Sequence, residues 1–391
     1  MTTPIIITFC LLILLAYIFD LSSQKTKIPT VILLLLLGWG IQQLTIFLKV
    51  QVPDLKPLLP LIGTIGLILI VLEGGLELEF NHSKLPKIKQ ASLSAFIPLI
   101  VLTLIIGWGL SYFNHVSFRT GIINALPLSI ISSAIAIPSV QNLGKATKEF
   151  VVYESSLSDI FGVILFNFFT ANEVISLWGV GNFFIQFIII LLISIIASVG
   201  LAFLIKKINH HVKFLPIVIS TILIYTLSKI FHLPALIFIL IFGLLLNNLD
   251  EFKNLKFVEY LEPAKLNIEI HKFKEIVMEM AFLVRTIFFL LFGYTINATE
   301  LLDLNSLLLS ISIISLILLV RYIYFKIAHI DASPLLYISP RGLITILLFL
   351  SIPIAHQIPV INEALMLQII LLSAFVMMFG LVFNTKKIEK K

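Results

Sequence analysis

Between Tyr153 and Phe166 the chain reads YESSLSDIFGVILF, which sets two acids, Glu154 and Asp159, inside an otherwise apolar run. An acid at the centre of a membrane helix costs about 2.5–3.5 kcal/mol even on the lenient insertion scale, so it pairs with a cation or faces water. Helical spacing puts Glu154 and Ser158 on one stripe and Ser155 and Asp159 on the next. The two carboxylates, five residues apart, point about 140° from each other. That angle argues against two acids sharing one proton and for two acids with different partners. Arg285 and Arg341 also lie inside apolar runs. Two acids against two arginines allow one tight ion pair and leave one carboxylate for chemistry.

The elements that must hold these groups are membrane helices. Of the 391 residues 59% are hydrophobic and 12% charged, and the mean hydropathy is +1.10. A soluble domain is closer to a quarter charged. Apolar runs recur that are long enough to cross a bilayer core of about 30 Å. They predict thirteen spans, near residues 4–20, 29–47, 58–79, 91–113, 119–143, 150–172, 180–205, 213–230, 233–248, 275–297, 304–326, 333–356 and 363–384. The first run has no basic residue before it and no small-residue cleavage site after it, and reads as a retained span. Counting Arg119, Lys213, Lys229 and Lys326, which stand at span ends, with the connections they adjoin, twenty of the 27 Lys and Arg fall in the odd-numbered connections and the C-terminal tail, against four in the N-terminus and even connections. This positive-inside bias places the N-terminus outside and the C-terminus in the cytoplasm, as in a plasma (inner) membrane protein. The net charge of +6 is then mainly a topology signal, not the mark of a nucleic-acid partner.

A single cysteine, Cys10, excludes disulfide frameworks, cysteine-based zinc sites and iron–sulfur clusters. No Walker loop, HExxH or GxSxG appears, so ATP-driven transport, intramembrane proteolysis and enzyme function generally lack support. The connection Leu249–Lys274 mixes acids and lysines and predicts an amphipathic interfacial helix. The tail ends at Lys391, so the expectation is one transporter domain over 1–391 with its function inside the membrane.

The sequence also repeats itself. IPTVILLLLLGWG in span two matches LPALIFILIFGLL in span nine, with Pro29–Gly38 spaced like Pro234–Gly243. VLEGGLEL ending span three matches LLFGYTIN ending span ten, with Gly75 opposite Gly293. Matched spans differ by seven, an odd number, so the second copy is inverted, as in secondary transporters. The same offset pairs span five, with Pro127 and Pro138, with span twelve, with Pro334, Pro340 and Gly342. Proline removes a helical hydrogen bond, and interruptions at matching places in two repeats point to a transport site.

Depth along each span brings polar groups to one level. At 1.5 Å per residue Asp159 lies roughly 13 Å from the cytoplasmic face, with Arg285 and Arg341 at similar depth. Ser132 and Ser133 lie roughly 20 Å from the outer face. Arg285 either compensates helix ends at a crossing or pairs with an acid. Glu73 lies nearer the cytoplasm, lining a funnel or capping a helix, while Arg321 and Glu279 are expected to snorkel to the interface. Serines in membrane helices often bond back to their own helix. His210 and His211 read as a solvated turn.

ESSLSD resembles the E-S-x-x-N-D signature of the bacterial Na⁺/H⁺ antiporters, the NhaP-like branch of the monovalent cation:proton antiporter superfamily. LEGGLEL resembles that branch's F-E-G-G-L motif, and SPRGLITILL its L-R-G-A motif. The resemblance covers the whole chain. It implies an all-α membrane protein of thirteen spans in two inverted six-span repeats, about 4–172 and 213–384. A linking span near 180–205 joins them, spans five and twelve are interrupted, and a basic tail covers 385–391. It implies that Asp159 binds Na⁺ or a proton in competition, with Ser155 near the ion and Glu154 in a structural salt bridge with Arg341. The family's Asn is Ser158 here, and its Thr-Asp-Pro in span five is Ser132-Ser133-Ala134, whose hydroxyls can still ligate a cation. No cofactor is implied beyond transported Na⁺ and H⁺, the surroundings are the lipid bilayer, and a homodimer is implied. The alternatives are a K⁺/H⁺ exchanger of the same fold, a cation channel and a non-transporting membrane scaffold.

Overall fold

Long apolar runs without helix-stopping signals become long helices. The computed structural model describes residues 2–26, 28–50, 52–79, 84–172, 177–208, 210, 212–231, 233, 235–252, 263–295 and 303–388, and among these no strand occurs. The first half holds α1 (Thr2–Thr26), α2 (Thr30–Phe47), α3 (Leu58–Glu77), α4 (Leu85–Asn114), α5 (Phe118–Ser129), α6 (Ser133–Ser139) and α7 (Lys145–Ala171). After it come α8 (Leu177–Lys207), α9 (Phe214–Ile230), α10 (Leu236–Asn247), α11 (Pro263–Tyr294), α12 (Leu304–Ile327), α13 (Leu343–Leu350) and α14 (Glu363–Ile388). Among the described residues nine segments are long and apolar enough to cross a membrane. The protein is an integral membrane protein. Helix starts use ordinary caps. Ser117 accepts from the Thr120 amide at α5, and Asp303 accepts from the Ser306 hydroxyl and amide at α12. Those bonds, the hydroxyl's first, hold the Asp303 carboxyl below its ordinary value.

Two stretches bear on the expected spans. Of Leu249–Lys274, where an amphipathic interfacial helix is expected, residues 253–262 lie outside the described residues, and from Pro263 the chain is already α11, continuous to Tyr294. Its 32 residues span about 48 Å, longer than the bilayer core, so the charged start is the polar end of a spanning helix. Span twelve is interrupted, as expected. Residues 333–337 form turns, 338–342 are irregular, and only Leu343–Leu350 is α-helix.

The chain divides into two compact units, Met1–Thr64 with Ala91–Gly162 and Leu283–Lys391, and Ile65–Gln90 with Val163–Phe282. Each takes helices from both sequence repeats. The first has a core where α4, α5, α12 and α14 meet, around Ile106, Leu128, Ile317 and Leu365. In the second, α10 lies along α8, and Asn247 and Asn248 donate to the Leu78 carbonyl just beyond α3.

The repeat reappears in the packing. A Cβ on Gly38 of α2 would lie 2.2 Å from the Leu290 carbonyl oxygen of α11, and one on Gly293 would lie 2.4 Å from the Leu35 carbonyl oxygen. Within the second unit, a Cβ on Gly75 of α3 would lie 3.1 Å from Gly243 Cα on α10. The repeat aligns α2 with α10 and α3 with α11, so it exchanges one glycine contact for the other. A two-fold relation between the repeats requires this. Backbone carbonyls cannot yield as a side-chain tip does, so Gly38→Ala should overpack its crossing and cost about 1–3 kcal/mol. Gly40, two residues on, has nothing within 4 Å of its Cβ position. Thermal melting in detergent should fall for Gly38→Ala and Gly243→Ala and hold or rise for Gly40→Ala; equal melting of all three would contradict the close approach.

Candidate functional site

A chain that stops being helical inside a membrane frees carbonyls on one side of the break and amides on the other. α5 ends at Ser129, Ile130 and Ser132 are extended, and α6 starts at Ser133. Neither proline stands in the gap, since Pro127 lies within α5 and Pro138 within α6. The break faces the irregular stretch before α13, where the Ser132 amide donates to the Pro340 carbonyl at 2.8 Å. Two interrupted segments therefore cross here, as the matched prolines of spans five and twelve predict.

Arg341, fully buried, supplies the carbonyls at this crossing with donors. Its Nε donates to Leu128 O at 2.9 Å and its Nη2 to Ser129 O at 3.2 Å, capping the C-terminal end of α5. Its Nη1 donates to Ser339 O at 2.6 Å, and its own amide donates to Ser373 Oγ at 2.9 Å. A cation at a helix C-terminus also suits the helix dipole. Arg285 does related work, donating from Nη1 to Ala134 O at 3.4 Å. Ala134 is four residues before Pro138, which has no amide to give that carbonyl.

The expected pairing of Glu154 with Arg341 is not what the fold makes. Arg321 of α12 is the partner, with Nη1 donating to Glu154 Oε1 at 2.8 Å and Nη2 to Oε2 at 3.2 Å. Both side chains are 1% exposed, so Arg321 does not snorkel. Its Nη2 also donates to Leu335 O at 2.8 Å, and the guanidinium lies 4.9 Å from the Phe325 ring centroid. The physical reason is depth. Glu154 and Arg321 each sit about four or five residues from the cytoplasmic ends of their predicted spans, whereas Arg341 is near the middle, among carbonyls that occupy its three nitrogens. Comparing depths from one face would have found the pair. Arg341 adds only a longer-range attraction to Glu154.

Asp159, 2% exposed, meets the amide side of the break. Its Oδ2 accepts from the Ser133 amide at 3.2 Å and from the Ser133 hydroxyl, so a carboxylate caps α6. Oδ1 has no partner among the described residues, and neither has Ser132 Oγ. Ser158 Oγ accepts from the Ile131 amide at 2.9 Å. A Cβ on Gly162 would lie 2.1 Å from Ile130 Cδ1, so one face of α7 carries the whole break. Ser155 instead bonds back to Val151 O of its own helix at 2.8 Å. Glu73 is half-buried on the part of α3 that belongs to the second unit, and Glu279 is exposed. His210 is exposed, and His211 lies outside the described residues. The structure thus gathers Asp159, Ser158, Ser132, Ser133 and Arg341 around one crossing, with Glu154 held apart from it on Arg321. Among the described residues no three His, Cys, Asp or Glu side chains cluster. A cation here would take one carboxylate and neutral oxygens, a donor set suited to a hard monovalent ion.

Crossed interrupted segments with a buried acid, inside an inverted repeat, define the class as a secondary-transporter fold. Residues 10–386 match the family described as "Sodium/hydrogen exchanger, transmembrane". The chain belongs to that family. The structure is similar to that of the sodium proton antiporter MjNhaP1 from Methanocaldococcus jannaschii at pH 8. The TM-score is 0.70 at 18% identity, covering 97% of this chain and 99% of that one. A second structure of MjNhaP1, from an electron-microscopy map, gives 0.67 at 18% identity over 99% and 96% of the two chains. At that identity the likeness is one of fold. No curated protein sequence matches the chain.

Breaking a buried ion pair from one side leaves an uncompensated charge and costs about 3–5 kcal/mol. Glu154→Gln and Arg321→Leu should each lower stability in detergent by about that much, and the double variant should lose clearly less than their sum. The coupling of Glu154→Gln with Arg341→Leu should be smaller by at least about 1 kcal/mol. A larger coupling to Arg341 would overturn the assigned pair.

Proposed function

We propose that the protein is a secondary antiporter that exchanges Na⁺, or Li⁺, for H⁺ by competition at Asp159. The observation that carries this reading is the unequal state of the two buried acids. Glu154 has both oxygens on one arginine, while Asp159 Oδ1, beside the broken helices, has no partner among the described residues. A bare carboxylate in a low-dielectric interior is unfavourable. A proton on Oδ1, or an alkali cation on Oδ1 completed by neutral oxygens, for which the unpartnered Ser132 Oγ is the candidate, neutralises it. The two occupants exclude each other at one atom, so binding of one releases the other. When only neutral, loaded forms reorient, exchange is obligatory. The Lys and Arg distribution supports an N-terminus outside and a C-terminus in the cytoplasm of the plasma membrane. A homodimer belongs to the proposal on the family resemblance.

Asp159→Asn removes the titratable charge while nearly preserving shape. It should fold and lose Na⁺/H⁺ exchange in proteoliposomes down to the level of empty vesicles. Substantial remaining exchange would take Asp159 out of its role, and an apparent-affinity series for Li⁺, Na⁺ and K⁺ in the parent protein would expose a K⁺/H⁺ exchanger.

With Glu154 neutralised by Arg321, one carboxylate changes occupant per cycle, so transport should be electroneutral, one cation for one proton. A cycle moving one net charge would gain or lose about 2.3 kcal/mol per 100 mV. Exchange should therefore keep the same rate when a potassium ionophore clamps vesicles at zero and at a strongly negative potential. Rates that follow voltage, or a turnover-dependent current on a supported membrane, would show that a second group titrates.

A further inference from the structure

Gly342 stands at the start of α13, and its φ of −167° is extended, so the backbone there does not itself call for glycine. What surrounds its missing Cβ is more specific. An added Cβ would lie 2.7 Å from Ser132 Oγ, 2.8 Å from Ile135 Cδ1 and 3.1 Å from Ile135 Cγ1. The nearest of these atoms is the hydroxyl oxygen that has no hydrogen-bond partner among the described residues, on a side chain 1% exposed. The Ser132 backbone, by contrast, is held, its amide bonded to Pro340 O two residues before Gly342. The hydroxyl is thus a buried, unpaired oxygen on a fixed backbone, in a place left open by one absent methyl group.

We propose that Gly342 is a positioning residue for cation selectivity, leaving Ser132 Oγ free to ligate the cation that Asp159 Oδ1 holds. The inference rests on the reading of Asp159 as the exchange site. It assigns to span twelve a contribution through space left unfilled, in addition to the capping done by Arg341. A methyl group at 342 pushes on two side-chain ends, which rotate at little cost to the fold. The hydroxyl then leaves its position while the carboxylate and its Ser133 donors keep theirs. The proton, which needs only Oδ1, is unaffected; the cation loses a ligand.

The test is a cycle in proteoliposomes of Gly342→Ala, Ser132→Ala and the double variant, reading KM for Na⁺ and kcat at fixed pH, with melting temperature as control. A lost hydrogen-bond-strength contact to a charged ligand is worth roughly tenfold in affinity. Gly342→Ala and Ser132→Ala should each raise KM for Na⁺ roughly tenfold, with kcat at saturating Na⁺ and melting temperature close to the parent's. In the double variant the glycine change should add less than about twofold, because the atom it acts through is gone. Gly342→Ala/Ile135→Val relieves the second contact and should keep the raised KM. An unchanged KM for Gly342→Ala, or an effect undiminished without the Ser132 hydroxyl, would overturn the proposal. So would failure of both Gly342→Ala and Gly342→Ala/Ile135→Val to fold, since only side-chain ends should move. If Ser132→Ala leaves KM unchanged while Asp159→Asn abolishes exchange, the role of Gly342 falls and the Asp159 site stands. Exchange surviving in Asp159→Asn removes the site itself.

Discussion

The constraint on which the rest depends is the supply of hydrogen-bond partners for broken backbone inside a membrane. A helix satisfies its own amides and carbonyls, and each break gives several of them up. Here the carbonyl end of α5 goes to the Arg341 guanidinium, and the first amide of α6 goes to the Asp159 carboxylate. The middle of the break is closed by the Ser158 hydroxyl and by Pro340 O. Each opposed charge is therefore placed where backbone polarity of the other sign is exposed. That is what makes an uncancelled Arg and an uncancelled Asp tolerable in an apolar interior.

The arrangement separates two jobs that one acid could not do alone. Glu154, bound through both oxygens to Arg321, ties α7 to α12 and has no oxygen to spare. Asp159 divides its oxygens. Oδ2 stays with Ser133 and keeps α6 capped, while Oδ1 has no partner among the described residues, which suits the exchange proposed for it. Because a protonated or cation-bound carboxyl can still accept hydrogen bonds at Oδ2, the cap would survive each step of that proposed exchange. The fold at the break need not be undone for the ligand to be exchanged.

Much of this was legible in the sequence because membrane helices announce themselves by length and apolarity. The spans, the two interruptions and the aligned glycines follow from periodic or compositional signals, and Gly38 with Gly293 and Gly75 with Gly243 do meet in space. Pairings between distant side chains were harder to see. Arg321 stands close enough to the membrane surface to read as a snorkelling residue, and only the depth it shares with Glu154 marks it as that acid's partner. Arg341 reads as an acid's partner because carbonyls freed by a break leave no trace in the residue alphabet. Prolines marked the interrupted spans and missed the gap, since Pro127 and Pro138 sit inside helices on either side of it. The turns of residues 333–337 carry the apolar composition of a spanning helix, so composition does not separate the two.

The departures from the family's motifs point in one physical direction. An Asn at 158 could offer the Ile131 amide a side-chain oxygen, and Ser158 offers one too, so the brace on the break is kept. An Asp at 133 would differ in kind. Ionised, it has no hydrogen to give Asp159, and it would place a like charge against it, so one of the two would hold a proton. Ser133 donates whatever the pH. Replacing an acid by a hydroxyl at that position leaves the geometry of the cap and removes a titrating group from the crossing. On the exchange proposed at Asp159, the number of protons moved would be set as much by Ser133, which does not titrate, as by the aspartate.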